Sequence, residues 1–151
     1  MQVIDRFYGT YAFLSNFYPV QVSLDGLTFP SVENAFQAAK CSDPADRLQF
    51  LTLTPGSAKR LGRCASIPPD WDQRRLEVME ALLQQKFLEH PKLGKLLAET
   101  GDAVLVEGNH WHDNVWGNCT CPRCRGVVGE NRLGKLLMKL RAQCQSGGCD
   151  G

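Results

Sequence analysis

The apolar residues change their spacing along the chain, and each spacing predicts a different element. On either side of the tight-turn dipeptide Asp25-Gly26, apolar and polar residues alternate. A period of two is typical of a half-buried strand, and an Asp-Gly pair between two such runs predicts a β-hairpin. The alternating apolar positions are Val20, Val22, Leu24, Leu27 and Phe29.

After the hairpin, apolar residues recur every three or four positions, which predicts amphipathic helices. The longest runs from an Asp70 cap to about Glu89, and the last spans residues 131–141. Their predicted inward faces are Leu76, Met79, Leu82, Leu83 and Phe87 in the longest and Leu133, Leu136, Leu137 and Leu140 in the last. Other helix starts are indicated by Ser31, Asp43-Pro44, Thr54-Pro55 and Pro91. Short strands are predicted near Val3–Ile4 and at residues 103–106.

The segment Ser31-Val-Glu-Asn-Ala-Phe-Gln-Ala-Ala-Lys40 combines a capped helix start with an unusual polar stripe. At ~100° per residue its apolar members share one arc, and Glu33, Gln37 and Lys40 share a narrow stripe beside it. Because that stripe borders the buried side and Lys40 leans back toward the helix N-terminus, an acid and an amine placed this way could flank a small substrate. Alternatively, the two charges only complement the helix dipole.

Residues 107–129 predict a long loop with the densest polar and aromatic cluster of the chain. Loops of this length are unusual in compact domains and are mostly functional. Asp113 lies between two tryptophans, and aromatic faces beside a carboxylate suit a sugar or nucleobase. Alternatively, Asp113 bonds backbone amides in a turn and Trp116 packs on the core. The His110-x-His112 spacing is only a weak indication of a metal centre.

Two groups of basic residues suggest anion binding. Lys59, Arg60 and Arg63 would suit phosphate, because arginine can engage it with two N–H groups. A solvated basic face is the alternative, and it applies equally to Arg74 and Arg75.

Seven cysteines are many for a chain without a signal-peptide pattern. The number is odd, so a disulfide framework is not expected. Cys119, Cys121 and Cys124 have the thiolate density of a zinc site, which Cys144, Cys149 or a histidine would complete. Free or redox-active thiols are the alternative.

Composition fits one soluble globular domain: 151 residues, 43% hydrophobic and 22% charged. A net charge of +1 argues against a general polyanion binder. No apolar run approaches the ~20 residues of a membrane helix, so we expect no membrane partner and a cytoplasmic location. The oligomeric state is not indicated.

A set of motifs over about residues 7–141 resembles, in order, the YbiA-like superfamily, also called NADAR for its link to NAD and ADP-ribose. The motifs are Phe13-Leu-Ser-Asn-Phe17, residues 31–40, Ala58-Lys-Arg-Leu-Gly-Arg63, residues 71–79, Lys86-Phe87, Leu105-Val-Glu107, Asp113-Asn-Val-Trp-Gly117 and Asn131-Arg-Leu-Gly-Lys-Leu-Leu-Met138. One departure is Cys119-Thr-Cys-Pro-Arg-Cys-Arg-Gly126, where relatives carry a glycine-rich loop.

The resemblance implies an α+β fold, a mainly helical single domain over residues 1–144 with a small N-terminal antiparallel β element. Residues 145–151 are predicted to be a flexible tail. It also implies N-glycosidase chemistry on ribosyl or ADP-ribosyl compounds. Members are associated with cleaving a phosphoribosyl-type riboflavin precursor or with removing ADP-ribose from guanine.

The resemblance places the catalytic residues of the family on Glu33, Lys40 and Asp113. Glu33 is expected to stabilise the oxocarbenium-like sugar or activate water, and Asp113 to bind a ribose hydroxyl or share acid–base work. Lys40 either attacks C1′ through a Schiff base or remains a fixed positive charge. The predicted substrate-binding residues are Ser15, Asn16, Phe17, Lys59, Arg63, Trp71, Trp116, Gly117 and Asn131.

These residues predict hydrolysis of the C1′–N bond of an ADP-ribosyl or phosphoribosyl compound, with ADP-ribosyl-guanine in nucleic acid favoured. The alternatives are phosphoribosyl intermediates of riboflavin synthesis, or a non-catalytic ADP-ribose or NAD-binding module. The expected partner is therefore such a substrate, free or linked to nucleic acid. No cofactor is predicted apart from the possible structural zinc.

Overall fold

The computed structural model describes residues 2–65 and 67–148 and confirms a mainly helical α+β fold. The strands are β1 (Val3–Ile4), β2 (Val22–Leu24), β3 (Leu27–Phe29), β4 (Val104–Leu105), β5 (Gly108–Asn109) and β6 (Asn118–Cys119). The helices are α1 (Val32–Ala39), α2 (Pro44–Arg47), α3 (Pro55–Gly62), α4 (Trp71–Leu88), α5 (Pro91–Ala98) and α6 (Arg132–Gln143). Short 3₁₀ turns cover Gly9–Leu14, Leu48–Leu51 and Pro122–Cys124.

The chain divides into two compact units, which are described one at a time. The first contains the described residues of Met1–Ser15 and Pro91–Gly151, and the second contains Asn16–His90. The single domain predicted over residues 1–144 stays a prediction.

The second unit begins with the predicted hairpin. Strands β2 and β3 pair antiparallel, with Val22 opposite Phe29. Asp25 and Gly26 both have positive φ values, 49° and 83°, as a two-residue type I′ turn requires. Strand β3 then leads directly into α1.

Side-chain caps begin three of the helices as the sequence predicts. The oxygens of Ser31, Asp43 and Thr54 accept hydrogen bonds from the first-turn amides of α1, α2 and α3. Asp70 precedes α4, but its side chain makes no capping hydrogen bond. It lies 3.6 Å from Arg74 instead, so the predicted Asp70 cap is replaced by an ion pair one turn along.

Helix α1 is buried along its whole length, including its polar residues. Asn34 shows how the backbone around it is held. Its Nδ2 donates to the carbonyls of Phe50 at 2.9 Å and Leu53 at 2.8 Å, and the Ser31 hydroxyl donates to its Oδ1 at 2.6 Å. A buried amide with every bond made stabilises one arrangement of α1 and the turn that follows α2.

Two residues of α4 depart from the predicted apolar face. Leu76 was predicted to face inward but is 42% exposed, whereas Lys86 is fully buried. The Lys86 ammonium lies 5.6 Å from the centre of the Tyr18 ring and 5.1 Å from that of Phe87. The buried face is therefore rotated toward Lys86, and burial lowers the pKa of this lysine to about 7.

The first unit contains two parallel strand pairs. Strand β1 pairs with β4, and β5 pairs with β6. The predicted loop at residues 107–129 thus contains the two short strands β5 and β6, which the sequence pattern does not indicate. Arg141 of α6 is buried and donates to Thr100 Oγ1 at 3.1 Å and to the carbonyl of Ala103 at 2.7 Å.

Helix α6 continues into a π turn, Cys144–Gly148, which includes the first part of the predicted tail. Gln145 Nε2 donates to the carbonyls of Ala98 and Gly101. Residues 149–151 of that tail lie outside the described residues. Cys144 is disulfide-bonded, which the composition did not predict.

Among the helices of the described residues, none has the length and apolar character needed to cross a membrane.

Replacing Lys86 with methionine should change how stability depends on pH. The folded lysine has a pKa of about 7 against an ordinary value of 10.5, so between these values only the unfolded chain holds the extra proton. The native chain should therefore become more stable relative to the Lys86→Met variant as pH rises. From pH 7 to 9 the expected gain in the free energy of unfolding is about 2 kcal/mol, at ~1.36 kcal/mol per pKa unit. Urea unfolding at several pH values measures it.

Lys92→Met is the matched control, because Lys92 is an exposed lysine on α5. For this control, the difference from the native chain in the free energy of unfolding should stay constant over this pH range. A constant difference for Lys86→Met as well would contradict the lowered pKa of Lys86.

Candidate active site

The polar stripe of α1 is buried and holds a carboxylate close to an amide. Glu33 is 7% exposed and Gln37 is 5% exposed. Gln37 Nε2 donates to Glu33 Oε1 at 3.1 Å, one helical turn apart, and the Glu33 backbone amide donates to the carbonyl of Asn16 at 3.0 Å. These bonds fix the Glu33 side chain against its own helix and fix the helix against the segment before the hairpin.

Gly62 permits helix α3 to approach this stripe. A Cβ atom on Gly62 would collide with the side-chain amide of Gln37. Glycine at position 62 therefore leaves the space that the Gln37 side chain occupies when it donates to Glu33.

Lys40 lies at the C-terminal end of α1 and is partly buried. Its ammonium lies 5.9 Å from the centre of the Phe36 ring. Burial lowers the pKa of Lys40, the negative charge of Glu33 opposes that shift, and the positive charges of Arg63, Arg75 and Lys59 add to it. An amine in these surroundings holds its proton less firmly than an exposed lysine.

One carboxylate and three other cations therefore act electrostatically on Lys40 in this unit. Lys59 and Arg63 were predicted to bind substrate, and both influence Lys40 electrostatically. Arg75 was assigned only to a basic surface pair, and its influence on Lys40 was missed. No signal in the sequence places Arg75 near Lys40, because the two residues belong to different helices. Lys59 also lies 6.0 Å from the ring centre of Phe17, which is 42% exposed.

Three buried polar atoms in this unit have no hydrogen-bond partner among the described residues: Asn16 Oδ1, Gln37 Oε1 and Arg75 Nε. Native proteins leave few such groups unpaired, so each one calls for an explanation. Arg75 Nε lies 3.8 Å from the Asp72 carboxylate, which partly compensates it. The two acceptors, Asn16 Oδ1 and Gln37 Oε1, are the groups with which a polar ligand would pair. Gln37 was noted in the stripe but was not predicted as a site residue.

Trp71 occupies a packed position at the start of α4. It is 3% exposed, its ring lies 5.2 Å from that of Phe36, and Arg74 lies over it at 5.9 Å. Trp71 thus supports the helix that carries Glu33 and Lys40, and its predicted contact with substrate stays a prediction.

Asp113 belongs to the first unit and forms the turn that the sequence offered as an alternative. Its Oδ1 accepts from the amides of Val115 at 3.1 Å and Trp116 at 2.9 Å. The side chain of Asn109 holds the same residue from the other side, with Nδ2 donating to the Asp113 carbonyl at 2.8 Å. This carboxylate is therefore held firmly in the loop.

The other predicted residues of the first unit are bound into its backbone. Asn131 Oδ1 accepts from the Glu107 amide at 3.0 Å, and Asn131 Nδ2 donates to the Leu105 carbonyl at 2.9 Å. Gly117 leaves no room for a side chain against Glu107. The amide of Ser15 bonds the carbonyl of Ala12. Their predicted roles toward substrate, like that of Trp116, stay predictions.

The structure brings together Glu33, Lys40, Lys59 and Arg63 in the second unit, which also contains Asn16, Phe17 and Trp71. In the first unit, a cavity of about 570 Å³ is lined by residues including Asp5, Arg6, Tyr8 and His110. None of the predicted site residues lines that cavity.

A metal ion has one candidate location in the described part of the chain. The sulfur atoms of Cys119, Cys121 and Cys124 lie close to one another and to His112.

Comparison with known proteins gives relatives along nearly the whole chain. The N-glycosidase YbiA of Escherichia coli (strain K12) is 38% identical over 146 residues, which cover 93% of this chain and 88% of the relative. The riboflavin biosynthesis protein VVA0006 of Vibrio vulnificus is 34% identical over 89% of this chain but only 36% of its own length. The NMR structure of the E. coli protein YbiA superposes with a TM-score of 0.79 at 36% identity, covering 97% of this chain and 88% of that one.

The profile of the NADAR domain matches residues 6–145, which is most of the sequence. Together with the similarity to the sequence and to the NMR structure of E. coli YbiA, this match confirms the resemblance inferred from the ordered motifs. The chain belongs to the NADAR domain family.

Proposed function

We propose that this protein is an N-glycosidase that hydrolyses the C1′–N bond of an ADP-ribosyl compound, with ADP-ribosyl-guanine in nucleic acid as the favoured substrate. The observation that carries the proposal is the buried carboxylate of Glu33 together with the partly buried amine of Lys40 on α1. Glu33 is almost inaccessible, and the pKa of Lys40 is lowered by burial. The name of the E. coli relative supports the reaction class.

Glu33 suits the charge that develops in this reaction. Breaking a C1′–N bond leaves positive charge on C1′ and the ring oxygen of the ribose. A carboxylate beside the ring stabilises that charge, and it does so more strongly in a site from which water is excluded. The hydrogen bond from Gln37 holds Glu33 in place before the substrate arrives.

Lys40 is the nucleophile in the proposed mechanism. Its lowered pKa increases the fraction of neutral amine, which can attack C1′. The C1′–N bond breaks, and the leaving base keeps the electron pair and takes the proton that the amine gives up. The ring oxygen then leaves C1′ and is protonated by water, which forms an iminium between Lys40 and the sugar. The hydroxide left by that protonation adds to C1′ and gives a carbinolamine. The carbinolamine passes its hydroxyl proton to the amine and expels it, which frees Lys40 and leaves the sugar as an aldehyde. The sugar hydroxyl then adds to C1′ and closes the ring.

The surrounding cations suit a substrate with phosphate groups. Lys59, Arg63 and Arg75 add positive charge around Lys40, and Arg63 and Arg75 have the planar forks that match phosphate oxygens. Several cations against one carboxylate favour the diphosphate of ADP-ribose over a single phosphate. Asn16 and Phe17 would contact the base or the ribose.

Two alternatives remain. The name of the Vibrio relative favours a phosphoribosyl intermediate of riboflavin synthesis, which carries one phosphate. A binding module without catalysis would need the cations but not a buried carboxylate that acts on an amine whose pKa is lowered by burial, so Glu33 and Lys40 together argue for an enzyme.

A substrate screen with a Glu33 variant tests the function. We expect the native chain to release ADP-ribose from ADP-ribosylated guanine DNA and to leave a phosphoribosyl-aminopyrimidine unchanged. Glu33→Gln keeps the Gln37 contact but removes the charge, so kcat should fall by about a hundredfold or more. Mass spectrometry of the products gives the rates, and a thermal melt shows whether the variant is folded.

The matched control is Glu89→Gln, an exposed acid at the end of α4, which should retain full activity. Near-native kcat in folded Glu33→Gln would contradict the role of Glu33. Turnover of the pyrimidine alone would transfer the activity to the riboflavin intermediate. Tight binding of ADP-ribose without turnover of either substrate would indicate the binding module.

Trapping with borohydride tests the role of Lys40. If Lys40 forms an iminium, borohydride added during turnover should reduce it to a stable amine and leave the sugar covalently on the peptide that contains Lys40. Peptide mass spectrometry locates the adduct, and Lys40→Arg should abolish it. An active native chain that forms no adduct would show that Lys40 acts as a fixed charge.

A further inference from the structure

Four potential metal ligands converge in the loop of the first unit, outside the proposed site. The ligand atoms of His112, Cys119, Cys121 and Cys124 all lie within 4.8 Å of one another. His112 Nδ1 lies 3.2 Å from Cys121 Sγ, 3.5 Å from Cys124 Sγ and 4.0 Å from Cys119 Sγ. Three thiols around one imidazole nitrogen therefore enclose a space of atomic size.

The dimensions match those of a tetrahedral zinc site. With Zn–S bonds of about 2.3 Å and a Zn–N bond of about 2.0 Å, the nitrogen and each sulfur of a regular tetrahedron are about 3.5 Å apart. The three observed N···S distances lie on both sides of that value. The longest of them, 4.0 Å to Cys119 Sγ, exceeds it by about 0.5 Å, and all four ligand atoms lie within 4.8 Å of one another, so side-chain adjustment can bring them around one zinc ion.

The surroundings of the sulfurs also suit thiolates. The backbone amides of His112 and Cys121 donate to Cys119 Sγ at 3.3 Å and 3.5 Å. Asn114 Nδ2 donates to Cys124 Sγ at 3.4 Å, and its Oδ1 accepts from the Cys119 amide at 2.8 Å. Donors aimed at sulfur stabilise the negative charge that zinc ligands carry and orient them before the metal binds.

We propose that His112, Cys119, Cys121 and Cys124 bind one zinc ion in a closed structural site. Four protein ligands complete the tetrahedron and leave no open position for water or substrate, which distinguishes structural from catalytic zinc. The sequence indicates the three cysteines as ligands and leaves the fourth ligand open. The structure assigns that position to His112, not to Cys144, which is disulfide-bonded.

The site would hold the middle of the long loop. His112 has a positive φ of 71°, a conformation that a ligand bond helps to maintain. Asp113 follows His112 directly, and its side chain organises the turn through Val115 and Trp116. Zinc binding would thus fix the loop around Asp113.

A redox role for these thiols is the competing explanation. Cys119, Cys121 and Cys124 are free thiols in the structure, and their number is odd, so any disulfide among them would leave one sulfur over. The imidazole nitrogen in contact with them is a feature that a zinc site uses and a disulfide does not.

Metal analysis of the purified full chain tests the proposal. We expect about one zinc ion per chain. Cys124→Ser removes one ligand, and its zinc content should fall to less than about a tenth of that value. The matched control is Cys64→Ser, an exposed free thiol in the second unit, which should keep its full zinc content. Circular dichroism shows whether each variant is folded.

Metal titration keeps the test decisive if Cys124→Ser fails to fold. Native protein freed of metal by a chelator should bind one equivalent of zinc in competition with a chromophoric indicator. With cobalt(II) it should show the visible bands of tetrahedral coordination and the ultraviolet absorption of thiolate ligands. Folded native protein that holds no zinc and takes up neither metal would overturn the proposal, and so would full zinc content in folded Cys124→Ser.

Discussion

The burial of helix α1 is the constraint on which the proposed site depends. A buried charge is costly unless it is paired or hydrogen-bonded, yet this helix places Glu33 inside and keeps Lys40 partly buried. Gln37 compensates the carboxylate, and Glu33 in turn offsets part of the burial cost of the Lys40 ammonium. Asn34 and the Ser31 cap hold the same helix against its surroundings. Burial therefore makes α1 part of the core of its unit and lowers the pKa of the amine at its C-terminal end.

The two units differ in how their buried polar groups are hydrogen-bonded. In the second unit, Asn16 Oδ1 and Gln37 Oε1 have no hydrogen-bond partner among the described residues, as expected where a ligand completes the hydrogen bonding. In the first unit, the side chains of Asn109, Asn131 and Asp113 form hydrogen bonds with backbone groups of the same unit. The proposed zinc site belongs to that loop.

Local rules predicted much of this fold. The hairpin, the caps at Ser31, Asp43 and Thr54, and most helix boundaries follow from neighbouring residues. Features that depend on distant neighbours did not follow: the inward position of Lys86, the outward position of Leu76, and the short parallel strands β5 and β6. At the site, spacing alone placed Glu33, Gln37 and Lys40 on one stripe. Two features needed the three-dimensional structure, because each joins residues that are separated in the sequence. One is the influence of Arg75 on Lys40, and the other is the position of His112 beside the three thiols.

The most direct test of this account is the titration of Lys40 in protein labelled with ¹³C and ¹⁵N lysine, followed by NMR and assigned with Lys40→Arg. The account predicts that the Lys40 amine titrates below the ordinary range for lysine. It also predicts that Glu33→Gln lowers the Lys40 pKa further, because the Glu33 charge raises it, whereas the exposed Glu89→Gln leaves it unchanged. A Lys40 amine with an ordinary pKa that does not respond to Glu33→Gln would contradict the buried acid–amine pair.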